Sequence, residues 1–227
     1  MLEGFKRWLT RKPARDTQPG ASAELKSFND WSRRAQVQIR TPRDGEGVII
    51  DGKSGDLPWR LEWGAPQRPY VLGQELRIRA ALPLPQELQA VILNRPLQEA
   101  IEKTMFEQYV EGVQTRLETD TPAEMRWVVM HPKLGRAELG ALQERYAAAA
   151  SATPWLQQWL GGTLGPALLA LRSDASSAFV LMVNRGRMTL RAELDEASAA
   201  AFEPYLRVFE IALREARNAR IDAADEA

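Results

Sequence analysis

Trp59-Arg60-Leu61-Glu62-Trp63, followed beyond a Gly64/Pro66/Pro69 loop by Glu75-Leu76-Arg77-Ile78-Arg79, decides the fold. Both strings alternate apolar and charged side chains. Successive side chains of a strand point to opposite faces, so a period of two puts Trp59, Leu61, Trp63, Leu76 and Ile78 on one face. Arg60, Glu62, Glu75, Arg77 and Arg79 fall on the other. This is the pattern of an antiparallel sheet with one buried and one solvated face.

Further strands are expected on either side. Ala35 to Arg40 alternates through Val37 and Ile39, the Arg43-Asp44-Gly45 turn signal follows, and Val48-Ile49-Ile50 is its partner. Leu88 to Leu93 and Met125 to Met130 read as strands, the latter stopped by His131-Pro132. Ala178 to Val183 and Arg187 to Leu194 make a hairpin about Asn184-Arg185-Gly186.

Helices fill the remainder. Leu25, Phe28 and Trp31 mark a short one after Ser22. Pro96 suits a first helical turn, and Leu97, Ile101, Met105, Tyr109, Val113 and Leu117 form one stripe of a long helix. Arg136 to Ala150 is helical by propensity, Thr153-Pro154 starts a short helix, and Asp195 is expected to cap a last one reaching Ala219, kinked at or begun by Pro204. The fold expected is α+β: an antiparallel sheet of five to seven strands, one face covered by the 95–117 and 195–219 helices.

Residues 1–20 read as a basic leader and Pro/Gly linker, and 21–227 as a single domain. The alternative is two similar subdomains dividing near residue 120, suggested by a weak echo between Glu75–Leu82 and Arg187–Leu194, each in a strand pair that precedes a long helix.

Composition excludes much chemistry. There is no cysteine and a single histidine among 227 residues. Thiol nucleophiles, disulfides and thiolate metal sites are therefore impossible, and His131 alone makes neither a two-histidine metal site nor, without a nucleophile motif nearby, a triad. Gly161-Gly-Thr-Leu-Gly165 lacks the lysine of a Walker loop and the spacing of a dinucleotide fingerprint. The 30 basic and 30 acidic residues balance, which gives no reason to expect a nucleic-acid partner. No cofactor is implied, and the absence of a long apolar run or a signal-type h-region leads to a cytoplasmic expectation.

Three surfaces stand out. Arg60, Arg77 and Arg79 project together on the solvated sheet face, where they either grip an anionic ligand or are neutralised by Glu62 and Glu75. Tyr146 to Leu171 carries no charge, and its Trp155 and Trp159, one turn apart, either pack in the core or anchor a partner or a second copy. Phe5, Lys6, Arg7 and Trp8 combine aromatic and basic groups suited to an anionic membrane surface. The leading expectation is a non-catalytic protein-interaction or scaffold domain that binds a protein partner or itself. The alternatives are an enzyme or binder for an anionic ligand, and a membrane-peripheral protein.

Overall fold

One row of apolar side chains crosses the sheet in register: Ile50, Leu61, Ile78, Leu190, Leu181, Ile92 and Ala148 stand opposite one another on successive strands. All are buried. The computed structural model describes residues 28, 30–40, 42, 47–110 and 121–220. Its strands are β1 (Gln38–Arg40), β2 (Val48–Ser54), β3 (Leu57–Gly64), β4 (Glu75–Ala81), β5 (Ala90–Asn94), β6 (Tyr146–Ala150), β7 (Phe179–Asn184) and β8 (Arg187–Glu193). They form one antiparallel sheet of eight strands in the order β1-β2-β3-β4-β8-β7-β5-β6. The fold is α+β, with a larger sheet than the five to seven strands expected. β5, from before residue 120, lies between β6 and β7 from after it, so a division there would cut through the sheet. The two echoing segments supply β4 and β8, which are neighbours at its centre with Ile78 opposite Leu190.

Helical residues 30–35 precede β1, and the helices that follow are α1 (Arg95–Val110), α2 (Ala123–Met130), α3 (Arg136–Leu139), α4 (Thr153–Gly161), α5 (Leu164–Ala170) and α6 (Ala199–Asn218). The two long ones do not share a face. Phe202, Phe209 and Leu213 of α6 join Trp155, Trp159 and Leu168 of α4 and α5 over the face that carries the apolar row. Leu97 and Ile101 of α1 join Met125, Trp127 and Val128 of α2 over Val91, Leu93, Val180 and Met182 on the opposite face. The reason is in β5 and β7, which are apolar on both faces and therefore need a cover on each.

Two segments take the other secondary structure from that expected. Met125 to Met130 belongs to α2, where Trp127 and Val128 are buried beneath α1. Of Arg136 to Ala150, only Arg136–Leu139 is α-helical and a 3-10 turn follows at Gly140–Glu144, whereas Tyr146–Ala150 is the edge strand β6. Ala148 and Ala150 face one cluster and Ala147 and Ala149 the other, and this two-sided burial with pairing to β5 outweighs alanine's helical preference of a few tenths of a kcal/mol per residue.

The β7–β8 hairpin forms as expected, with Arg185 at φ 49° and Gly186 at φ 64° giving the two left-handed positions of a tight turn. Ser198, not Asp195, caps α6, its side chain accepting from the Ala201 N–H at 3.1 Å. Asp195 instead accepts from the Gln74 N–H. The leader, the Leu25 position, the Arg43-Asp44-Gly45 turn and the Val113/Leu117 end of the α1 stripe lie outside the described residues.

Gly52 stands opposite Trp59 in the β2–β3 register, and a Cβ there would come within 2.3 Å of the indole ring. Gly52→Ala is therefore expected to push the buried Trp59 aside and to destabilise the protein by about 1–3 kcal/mol, the usual range for overpacking. An unchanged urea midpoint would show that the ring is free to yield.

Candidate functional site

Of the three arginines expected to project together, Arg77 and Arg79 meet at Glu62, whereas Arg60 pairs with Asp51, all on carboxylates of their own sheet. Arg60 donates through Nε to Asp51 Oδ1 at 2.7 Å, and Asp51 also takes Arg40. Arg79 donates to Glu62 Oε1 at 2.7 Å, and Arg77 reaches Glu62 Oε2 through Nε at 3.2 Å and a terminal nitrogen at 2.9 Å. Arg77 continues to Glu75 at 3.5 Å, and Glu75 accepts from Arg191 of β8. The face is a ladder of alternating charge running from β1 to β8. Burial alone would raise the Glu62 carboxyl, but the Arg77 hydrogen bond and the Arg79, Arg77 and Arg60 charges hold it below the ordinary carboxylate value.

The loop between β3 and β4 closes the inner end of this ladder. The Gln67 N–H donates to Glu75 at 2.5 Å and the Leu72 N–H to Glu193 at 3.0 Å. The loop is fastened to α2 through Glu124, which accepts from Arg68 Nε at 2.5 Å and the Tyr70 hydroxyl at 2.7 Å. Burial would raise the Glu124 carboxyl, yet the Arg68 hydrogen bond and charge, with the Tyr70 bond, bring it below its ordinary value. Burial, reinforced by the same carboxylate, drives the Tyr70 phenol well above the usual tyrosine range.

Trp155 and Trp159 are 1% and 0% exposed, their rings 4.9 Å apart, and the Trp159 Nε1–H donates to the Ala212 carbonyl of α6 at 3.0 Å. They are core, and the reading of this pair as surface anchors is corrected by their burial. Packing against Phe209, Ala212 and Leu213 of α6 in the same cluster leaves no open side to the pair. Phe5, Lys6, Arg7 and Trp8 lie outside the described residues. His131 Nε2 is 2.8 Å from Gln89 Oε1, and burial lowers its pKa. Among the described residues no group of three or more His, Asp or Glu side chains is placed to hold a metal, and no helix is long and apolar enough to cross a membrane.

A different surface is open. A groove of about 810 Å³ runs between α5 and α6. Ala201, Pro204, Val208 and Ile211 line its α6 wall at the three-and-four spacing of one helix face, and Pro166, Ala167 and Ala170 line the other. Arg207 and Ile211 also line a neighbouring cleft of about 670 Å³, bounded by Ser54 and Gly55 of the β2–β3 turn. In that cleft Arg207, Glu210, Arg214 and Arg217 form a second stripe of the same spacing beside the first. Burial lifts the Glu210 carboxyl above its ordinary value, partly opposed by a hydrogen bond from Trp59 Nε1 at 3.3 Å. Both stripes are legible in the sequence of the last helix. What sequence does not show is which of these side chains stay open: Pro204, Arg207, Arg214 and Arg217 are exposed, whereas Val208 is buried in the core.

The architecture thus defines an antiparallel α+β sheet covered by helices on both faces, with one face only partly covered. No family model matches the sequence, and no curated protein matches it significantly. Among solved structures the chain is similar to the mycobacterial trehalose monomycolate transport factor A, TtfA, at 9% identity over 86% of this chain and 96% of that one, with a TM-score of 0.47. A likeness at that level bears on neither site nor function.

Because the folded Glu124 carboxyl titrates below its ordinary value of 4.5, its stabilising contribution is whole above that pH and is lost as pH falls through the lowered value. Glu124→Gln is expected to cost about 1–3 kcal/mol at pH 7, with the gap to wild type narrowing in acid. Urea midpoints compared at neutral pH and near pH 3 check this, and a gap independent of pH would mean that the ionised carboxylate is not what holds the loop.

Proposed function

We propose that this chain is a non-catalytic protein-interaction module whose binding surface is the groove between α5 and α6. The observation that carries the reading is the α6 edge Ala201, Pro204 and Ile211, which lines an open surface groove above the buried Val208, on a helix whose inner side is packed in the core. A groove walled by two helices and floored by small or aliphatic side chains suits a partner helix or strap laid lengthwise.

The alternative, an anionic small ligand gripped by Arg60, Arg77 and Arg79, requires that ligand to displace Asp51 and Glu62 from geometries already satisfied at 2.7–3.2 Å. A ligand gains little by replacing one well-placed carboxylate with another. A cytoplasmic setting belongs to the same proposal and rests on composition alone.

Affinity capture from the native cell, with wild type and an Ala167→Arg/Ala201→Arg pair as baits, tests the reading. A partner retained by wild type and reduced about tenfold or more by the groove-filling pair is expected, which corresponds to about 1.4 kcal/mol. Arg60→Ala/Arg79→Ala is expected to retain it. Retention by the groove variant with loss in the arginine variant would move the site to the sheet face and overturn the proposal. Circular dichroism of each bait separates these outcomes from unfolding.

A further inference from the structure

The groove does not end where its apolar stripe ends. Through Arg207 and Ile211 it opens into the cleft at the β2–β3 turn, whose lining carries the cations Arg207, Arg214 and Arg217 and, as its carboxylate, Glu210. The two stripes follow one helix from Ala201 to Arg217, a span of about 24 Å at 1.5 Å per residue. Anything lying along α6 therefore meets aliphatic surface first and guanidinium groups second.

These guanidiniums differ from those of the sheet in what holds them. Arg207 and Glu203 are an exposed i,i+4 pair at 3.9 Å. Such a pair is worth only a few tenths of a kcal/mol. Arg214 donates to the neutral Thr163 hydroxyl at 2.9 Å and lies 3.6 Å from Glu215. Arg217 meets Asp56 at 2.6 Å on the exposed β2–β3 turn. None of the three is held by a buried carboxylate, as Arg77 and Arg191 are by Glu75. Exchange of these surface partners for an incoming carboxylate costs little, and two or three contacts made together give orientation as well as attraction.

We infer that the occupant of this groove is an acidic amphipathic segment of a partner protein, with apolar side chains along the Ala201–Ile211 stripe and carboxylates over Arg207, Arg214 and Arg217. The inference rests on the groove reading above and adds the chemistry of the partner. A concave trough between two helices favours a polypeptide over a flat lipid surface. A nucleic-acid backbone would carry phosphates along its whole length, including the part over the aliphatic stripe, where there is little to pair them.

Three synthetic 16-residue helical peptides test it, with one shared apolar stripe and with glutamate, glutamine or lysine toward one end. Fluorescence anisotropy is expected to rank them Glu, Gln, Lys in falling affinity, with about a tenfold preference for Glu over Gln at low salt that shrinks at high salt. Arg214→Glu/Arg217→Glu is expected to reverse the order. Equal binding of all three, or an order that the charge reversal leaves unchanged, overturns the acidic inference. If the Ala167→Arg/Ala201→Arg pair then abolishes that binding, the groove reading stands without it; if it has no effect, both fall. No binding of any peptide up to millimolar concentration also overturns the inference. So does displacement of the Glu peptide by inorganic phosphate at micromolar concentration, which would make the arginines a small-anion site. Arginine-dependent binding to phosphatidylglycerol vesicles without peptide binding would assign them to a lipid surface instead.

Discussion

Glu75 is the constraint on which the arrangement of the sheet turns. It has no solvent exposure, and a carboxylate removed from water is tolerated only when it is paired and hydrogen-bonded. Its partners come from three places: Arg77 on its own strand, Arg191 on β8, and the Gln67 backbone in the β3–β4 loop. Arg77 and Arg191 stand directly opposite one another in the β4–β8 register, and two buried guanidiniums would repel without the acid beside them. That register joins the meander β1–β4 to the rest of the sheet. One side chain thus fixes the central seam, recruits Glu62 of β3 through Arg77, and holds the loop that covers it.

The same pairing explains why the charged face is a poor place to look for ligand chemistry. Each of Arg60, Arg77 and Arg79 already has a carboxylate at hydrogen-bonding distance, and the alternation of charge leaves no concentrated field of one sign. Fixed ion pairs specify register and solubility. On α6, Arg207 and Arg217 pair with exposed carboxylates and Arg214 with the Thr163 hydroxyl and Glu215, beside a groove whose α6 edge is Ala201, Pro204 and Ile211.

How far the sequence discloses this follows from the range of each signal. Alternation is a local property, so β3, β4, β7 and β8, the charged ladder and its neutralisation by Glu62 were legible from a few residues each. The turn at Arg185 and Gly186 was legible for the same reason. Tyr146–Ala150 was not, because alanine states a helical preference locally while its strand state is imposed by covers on both faces. Trp127-Val-Val-Met130 was ambiguous in principle, since a short apolar run has no period from which to choose between buried helix and buried strand. The distribution of α1 and α6 over opposite faces depends on β5 lying between β6 and β7, a pairing across more than fifty residues of sequence that no local pattern encodes. For the Trp155/Trp159 pair, sequence identified an unusual apolar site but not which way it faced.

A groove is useful for binding only if its walls are in place before the partner arrives, because ordering them on contact is subtracted from the affinity. α6 meets this condition. Ser198 fixes its start, Phe202, Phe209 and Leu213 bury its inner side, and the Trp159 indole bonds its backbone at Ala212. The sheet grips it a second time, through Trp59 to Glu210 and through Trp63 to the Leu194 carbonyl at 2.7 Å just ahead of the helix. Glu210 is the residue at which the two roles meet: it lines the basic cleft while bonded to an indole that is itself packed over Gly52 in the sheet. The floor between the arginines is therefore held by the core. The long guanidinium side chains are left as the parts free to adjust, which is the division of labour that lets a surface select for charge without ordering its backbone on contact.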